Sequence, residues 1–120
     1  MSFGDYFRNL RKSKNVTQKR IAEGIGKTPM LVSGVETNKN KPFSDADLNK
    51  IAKILDLSDQ ERKDLLKEAA KERGAMPSYM VTYCNDHKET YQLLDLFVTA
   101  EMGSSSLQQI IRYAEEIRNA

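Results

Sequence analysis

The sequence of 120 residues contains one cysteine, Cys84, one histidine, His87, and no tryptophan. One cysteine excludes an internal disulfide and a cysteine-rich zinc site, and one histidine argues against a histidine-based metal site or a catalytic triad. No apolar run approaches the roughly 20 residues that a membrane-spanning helix needs, and the first residues lack the apolar segment of a secretory signal. These absences predict a cytoplasmic protein that is not an enzyme and that needs no metal or cofactor.

Charged residues make up 30% of the chain and carry a formal net charge of +2, but the two signs are unevenly distributed. Residues 1–43 hold nine basic and three acidic side chains, a net charge of +6, whereas residues 44–120 hold ten and fourteen, a net charge of −4. A basic region joined to an acidic remainder favours a module that meets a polyanion with one end only. The pattern also fits a solvated surface without a partner, and charge alone does not separate the two readings.

Apolar residues recur at helical spacing through the first part of the chain. Thr17 and the Thr28-Pro29 pair are typical of helix starts, and Gly26 and Gly74 are typical of helix ends. Five helices are therefore predicted, over residues 3–14, 18–24, 29–36, 45–56 and 59–73. They define a helical domain over residues 1–74.

The remaining residues, 75–120, are predicted to form a short helical extension. Gly74 and Pro77 interrupt the helical pattern and indicate a linker. The segment SYMVTYC after it has the β-branched and aromatic composition of a strand, but no partner strand is visible, so a short helix or a packed turn is favoured. Two further helices are predicted over residues 87–101 and 105–118, the second with a capping box at its start.

The two last helices each have one apolar side. The first is predicted to bury Tyr91, Leu94, Phe97 and Val98. The side of the second consists of Leu107, Ile110, Ile111, Ala114 and Ile117. The simplest interpretation of this second stripe is core packing within the chain, and the alternative is a seam between two subunits.

The segment TQKRIAEGIGKTPMLVSGVE, Thr17–Glu36, contains the strongest functional signal. It consists of two short capped helices joined by a turn of three or four residues that contains Gly26. Ala22 is small where the two helices must cross closely, and Ile25 and Val32 are apolar where the pair packs on the remaining helices. This is the layout of a helix-turn-helix motif.

Residues 3–66 resemble the phage-repressor/Cro family of helix-turn-helix proteins, also called the XRE family. The resemblance rests on the Thr-Gln and Ile-Ala pairs of the second helix, the turn glycine, the Ser-x-x-Glu at Ser33–Glu36 and the loop proline Pro42. It implies an all-α, five-helix lambda-repressor-like domain whose third helix lies in the major groove of double-stranded DNA. It also implies an interior ion pair between Arg11 and Glu36.

The same resemblance implies DNA contacts around the second and third helices. Gln18 would hydrogen-bond a phosphate at a helix N-terminus, and the start of the third helix would do likewise. Polar and basic residues beyond the third helix would grip the DNA backbone. The complete set of implied DNA-binding residues is Thr17, Gln18, Lys19, Lys27, Thr28, Pro29, Met30, Ser33, Asn38, Lys39 and Lys41.

The chain departs from the family pattern at the base-reading positions of the third helix. Relatives commonly carry glutamine, asparagine, arginine or serine there, whereas this chain carries Pro29, Met30, Ser33 and Gly34. Guanine is read by Arg or Lys and adenine by Asn or Gln, and the third helix has none of them. We therefore expect modest direct readout, an A·T-rich preference and a large contribution from DNA shape.

These patterns predict a sequence-selective transcriptional regulator, most simply a repressor that binds a pseudo-palindromic operator as a dimer. The extension after residue 74 loosely resembles the helical tails of small bacterial regulators of this family and is interpreted as the dimerisation or partner-binding element. The alternative is an antitoxin-type interaction protein, which would hold a protein partner such as a toxin through its C-terminal helices.

Overall fold

The computed structural model describes residues 1–120 and contains eight α-helices and no strand. The helices are α1 (Phe3–Ser13), α2 (Gln18–Ile25), α3 (Pro29–Glu36), α4 (Asp45–Ile54), α5 (Asp59–Arg73), α6 (Ser78–Asp86), α7 (Glu89–Thr99) and α8 (Ser104–Asn119). The all-α prediction is confirmed, and SYMVTYC forms a helix, the favoured alternative. No helix combines the length and the apolar character needed to cross a lipid bilayer.

Side-chain caps start the first five helices. The hydroxyl oxygens of Ser2, Thr17, Thr28, Ser44 and Ser58 each accept a hydrogen bond from the backbone N–H three residues later. Each cap satisfies one of the free N–H groups of a helix start and contributes about 1 kcal/mol. These starts are therefore determined by residues adjacent in sequence.

Six of the helices end in the same backbone motif, in which one residue takes a left-handed conformation. After α3, Asn38 has φ 63°, its N–H donates to the carbonyl of Val35 at 3.1 Å, and the N–H of Lys39 donates to the carbonyl of Gly34 at 2.9 Å. This pair of bonds is the Schellman motif, which reverses the chain at a helix end. The left-handed residues are Asn15, Gly26, Asn38, Asp56, Gly74 and Glu101.

Residues Met1–Val81 form one compact unit with a continuous apolar core. Phe7, Ile21, Val32, Leu48 and Leu65 have no exposed surface. Further core residues include Phe3, Phe43, Ile51 and Leu66, and Tyr79 packs against the core from α6. The unit therefore includes the start of α6, whereas the sequence placed the boundary after residue 74.

Residues Thr82–Ala120 form the second unit, in which Cys84 is the single buried residue. The prediction that the first of the two last helices buries its apolar side is wrong. Tyr91, Leu94 and Val98 are 48%, 42% and 74% exposed, and only Phe97 is half-buried. Helical periodicity identifies an apolar face, but it does not supply the element that would cover this face.

The apolar stripe of α8 is also largely uncovered. Leu107 and Ile110 are half-buried, whereas Ile111, Ala114 and Ile117 are exposed, so the stripe does not form a closed core within the chain. The predicted capping box of this helix is wrong as well. The helix starts one residue earlier, at Ser104, with Gly103 before it and no side-chain cap.

Candidate nucleic-acid interface

Helices α2 and α3 and the three residues between them form a helix-turn-helix motif. Gly26 takes φ 70°, where a Cβ would be strained, and Thr28 caps α3 directly before Pro29. The inner sides of both helices are buried, with Ile21, Ala22 and Ile25 on α2 and Val32 and Val35 on α3. The core therefore fixes the position of α3, and its other side faces solvent.

The solvent side of α3 starts at its N-terminus. Thr28, Pro29 and Met30 are exposed, and Met30 retains 83% of its accessible surface, while Ser33 and Gly34 are half-buried. Pro29 has no N–H and the N–H of Leu31 donates to Thr28, so the N–H of Met30 is the free helical donor at this start, where the helix dipole favours an anion. Predicted base-contacting and phosphate-contacting residues therefore share one accessible surface.

Three of the predicted lysines lie beside this surface, Lys19 lies on α2, and none of the four has an internal ion pair. Lys19, Lys27, Lys39 and Lys41 are all exposed, and none forms a salt bridge in the chain. Lys27 and Lys41 line one cleft, whereas Lys39 lines a second one beside Met30. Their ammonium groups are free to neutralise phosphates.

A buried ion pair ties the motif to α1. Arg11 Nε donates to Glu36 Oε2 at 2.6 Å and Arg11 Nη2 to Glu36 Oε1 at 2.9 Å, with both side chains at most 10% exposed. Arg11 Nη1 also donates to the carbonyl of Val16 at 2.8 Å. A two-point pair of this kind fixes the geometry of α1 relative to α3.

Gln18 is attached to the same ion pair. Its Nε2 donates one hydrogen to Glu36 Oε1 at 3.1 Å, which leaves the second amide hydrogen at the start of α2. Thr17, beside it, caps α2 through a bond from Arg20 N at 3.1 Å. The positions of both residues are thus set by internal contacts, and Gln18 retains a donor.

Asn38 links the loop after α3 to the start of α1. Its Oδ1 accepts from Gly4 N at 3.1 Å, and its Nδ2 donates to Ser2 Oγ at 2.9 Å. A Cβ on Gly4 would lie 2.6 Å from this Oδ1 and from two carbonyl oxygens of the α3 end. The amide that was predicted to bind DNA therefore makes protein contacts, which keep the following residues in position.

A cleft of about 470 Å³ runs along the exposed side of α3 into the loop after it. It brings four of the predicted DNA-binding residues together with two polar residues that the sequence did not single out, Thr37 and Asn40. The residues that line it are Thr28, Met30, Leu31, Ser33, Gly34, Thr37, Lys39 and Asn40. Asn40, the second asparagine of the run TNKNKP, was not predicted as a site residue, because its position depends on the chain reversal at Asn38.

A family model described as a helix-turn-helix domain matches residues 2–65, slightly more than half of the chain. The chain therefore belongs to this helix-turn-helix family, which is consistent with its resemblance to regulators of the XRE type. Helix-turn-helix domains bind DNA. No curated protein and no solved structure matches the sequence significantly.

Proposed function

We propose that the protein is a sequence-selective transcriptional regulator, most simply a cytoplasmic repressor, that binds a pseudo-palindromic operator as a dimer. The observation that carries the proposal is the exposed side of α3, which is held by a buried core and has Lys27, Lys39 and Lys41 beside it without internal ion pairs. Such a side fits the major groove, and the lysines fit the phosphates beside it. Occupying a promoter is enough to repress it, so no catalytic group takes part.

Two groups of residues would share the binding. The lysines, the second amide hydrogen of Gln18 and the backbone N–H of Met30 at the start of α3 supply phosphate contacts, which set affinity and register. The side chains of Pro29, Met30 and Ser33 supply base contacts. Met30 and Pro29 are suited to the methyl group of thymine, and Ser33 can bond to any base.

Dimerisation would place two copies of α3 in successive major grooves, about one helical turn apart. The lambda-repressor-like arrangement of α1–α5 and the role of residues 75–120 as the dimerising or partner-binding element are part of this proposal. The exposed apolar side chains on α7 and α8 support it, because such patches on soluble proteins mark interaction surfaces.

Selection of random DNA duplexes at two salt concentrations tests the function. We expect an enriched inverted repeat and an affinity that falls steeply with salt. Lys27→Gln and Lys41→Gln should each weaken binding to all sequences and lower the salt slope by about 1. The control Lys53→Gln, an exposed lysine on α4 outside both α3 clefts, should change little. Weak binding without an enriched motif would contradict the proposal.

An antitoxin-type interaction protein is the second candidate. It is favoured by the apolar side chains of the second unit, such as Leu96 and Val98, which are 55% and 74% exposed. In this case the C-terminal helices would hold a different protein rather than a second copy. A stable one-to-one complex with a small toxin purified from the native host would support this candidate, and a homodimer without such a partner would argue against it.

A further inference from the structure

The side chain of Asn40 lies directly across Gly34 on α3. A Cβ built on Gly34 would lie 2.2 Å from Asn40 Nδ2 and 2.9 Å from Asn40 Cγ, far inside normal contact. The glycine therefore makes room for an amide that comes from the loop. Glycine in a helix costs about 1 kcal/mol relative to alanine. At position 34 the helix is therefore less stable than with alanine, and the space without a Cβ accommodates the Asn40 amide.

Three hydrogen bonds hold Asn40 there. The backbone N–H groups of Lys39 and Asn40 both donate to the carbonyl of Gly34, at 2.9 and 3.0 Å, and Asn40 Nδ2 donates to the carbonyl of Leu31 at 3.4 Å. Asn38, two residues earlier in the loop, is hydrogen-bonded to the start of α1. The amide is thus positioned before any ligand arrives.

These bonds leave one N–H donor and the carbonyl oxygen of the Asn40 side chain available to a ligand. An asparagine amide has two N–H donors and one carbonyl acceptor, and Asn40 uses one donor on Leu31. The second donor and Oδ1 have no partner in the chain. A free donor beside a free acceptor matches N7 and N6 of adenine in the major groove.

The location fits that use. Asn40 is exposed and lines the cleft that also contains Met30 and Ser33, two of the predicted base-contacting residues. Helix α3 itself presents no Asn, Gln, Arg or Lys. The Asn40 amide lies over Gly34, on the surface of a helix that has no base-reading Asn, Gln, Arg or Lys of its own.

We infer that Asn40 is a base-reading residue, which recognises adenine in the major groove from its seat over Gly34. The inference rests on the proposed function and adds to it a residue and the base that it reads. It predicts an A·T pair at one defined position of each half-site, which direct readout by α3 alone would not require.

The test is a scan of single-base substitutions through the selected operator with four proteins. The wild type should require adenine at one position per half-site. Asn40→Ala should bind the operator roughly 5- to 150-fold more weakly, and its preference at this position should become flat while the preferences elsewhere stay unchanged. Gly34→Ala should flatten the same position, because the new methyl group displaces the amide while the helix gains propensity.

Lys39→Gln is the matched control, because Lys39 is exposed beside Asn40 but suits a phosphate. It should weaken binding to every sequence by the same factor and leave the base profile unchanged. Thermal unfolding of each variant checks that the domain is folded. An Asn40→Ala protein that keeps the wild-type profile, or loses affinity uniformly, would overturn the inference alone. A wild type that selects no operator would overturn the proposed function and this inference together.

Discussion

The two units use similar sequence patterns with opposite results. In Met1–Val81 the apolar sides of the helices meet in one core, and side chains such as Phe7, Leu48 and Leu65 have no exposed surface. In Thr82–Ala120 the helices α7 and α8 have no buried residue at all. Val98 and Ile117 are 74% and 60% exposed although they occupy the same kind of helical position.

This difference separates a unit whose apolar helix sides are covered within the chain from a unit whose apolar helix sides are exposed. In the first unit, the helices α1–α5 cover each other's apolar sides in one core. Helices α7 and α8 bury too little apolar area by themselves to do the same, although α8 is the longest helix of the chain, because a small assembly buries a smaller fraction of its surface. The first unit is expected to fold from its own contacts, whereas the second is where a further copy or a partner would remove apolar surface from water.

The largest effect is expected inside the first unit, at Glu36. Glu36→Ala leaves the Arg11 guanidinium buried without its carboxylate and removes the acceptor of Gln18. The free energy of unfolding should fall by about 3–5 kcal/mol, measured by urea denaturation. Glu115→Ala, an exposed change in the second unit, should stay within about 0.5 kcal/mol. A loss at Glu36 below about 1 kcal/mol would show that Arg11 finds another partner.

The next effect concerns association through the second unit. Ile111→Asp together with Ile117→Asp places two charges on the exposed stripe of α8. If this stripe forms the dimer seam, the dimer dissociation constant should rise at least about tenfold, since burying one isoleucine contributes about 1.5–3 kcal/mol.

Analytical ultracentrifugation measures this association, and urea denaturation should show an unchanged first unit. Glu116→Gln, an exposed change on the opposite side of the same helix, is the control that should leave the dimer intact. An unchanged dissociation constant in the double variant would locate the dimer contact elsewhere.

A smaller effect distinguishes the helix ends of the two units. Asp56 after α4 and Glu101 after α7 both take positive φ, at 51° and 52°. Asp56→Gly should raise the free energy of unfolding of the first unit by about 0.5–1 kcal/mol, because glycine relieves the left-handed strain. Glu101→Gly should leave that unit unchanged and increase the hydrogen-exchange protection of α7. A loss of stability in Asp56→Gly would show that its side chain contributes more than the strain costs.

The smallest effect is a pH dependence of the first unit. The hydrogen bond from the backbone N–H of Ser58 lowers the pKa of the Glu61 carboxyl below its usual 4.5, and the hydrogen bond from Lys14 lowers it further. Because the folded pKa lies below the unfolded one, this contribution is complete above pH 4.5 and is lost as the pH falls through the folded pKa. Glu61→Gln should therefore lose less stability on acidification, measured by urea denaturation from pH 7 to about 3. An equally steep loss in the variant would assign the acid sensitivity to other groups.

Much of the first unit could be predicted from neighbouring residues. The bounds of α3 and α5 are those expected from the sequence, because Thr28 with Pro29 and Ser58 with Glu61 act on backbone groups within one turn. The predicted burial of Tyr91 and its neighbours on α7 was wrong, because burial requires a covering element and not only a pattern. Contacts of the implied residues with DNA stay predictions.

The sequence by itself determined the all-α character, seven of the eight helices, the capped starts of α2 and α3 and the helix-turn-helix segment, because caps, turns and 3.6-residue periodicity act over a few residues. Only the tertiary structure decided which apolar faces are covered. It also decided that Asn38 fastens to Gly4 and Ser2 and that Asn40 lies over Gly34. These contacts depend on where the loop after α3 lies, and the packing of the whole first unit determines the position of this loop.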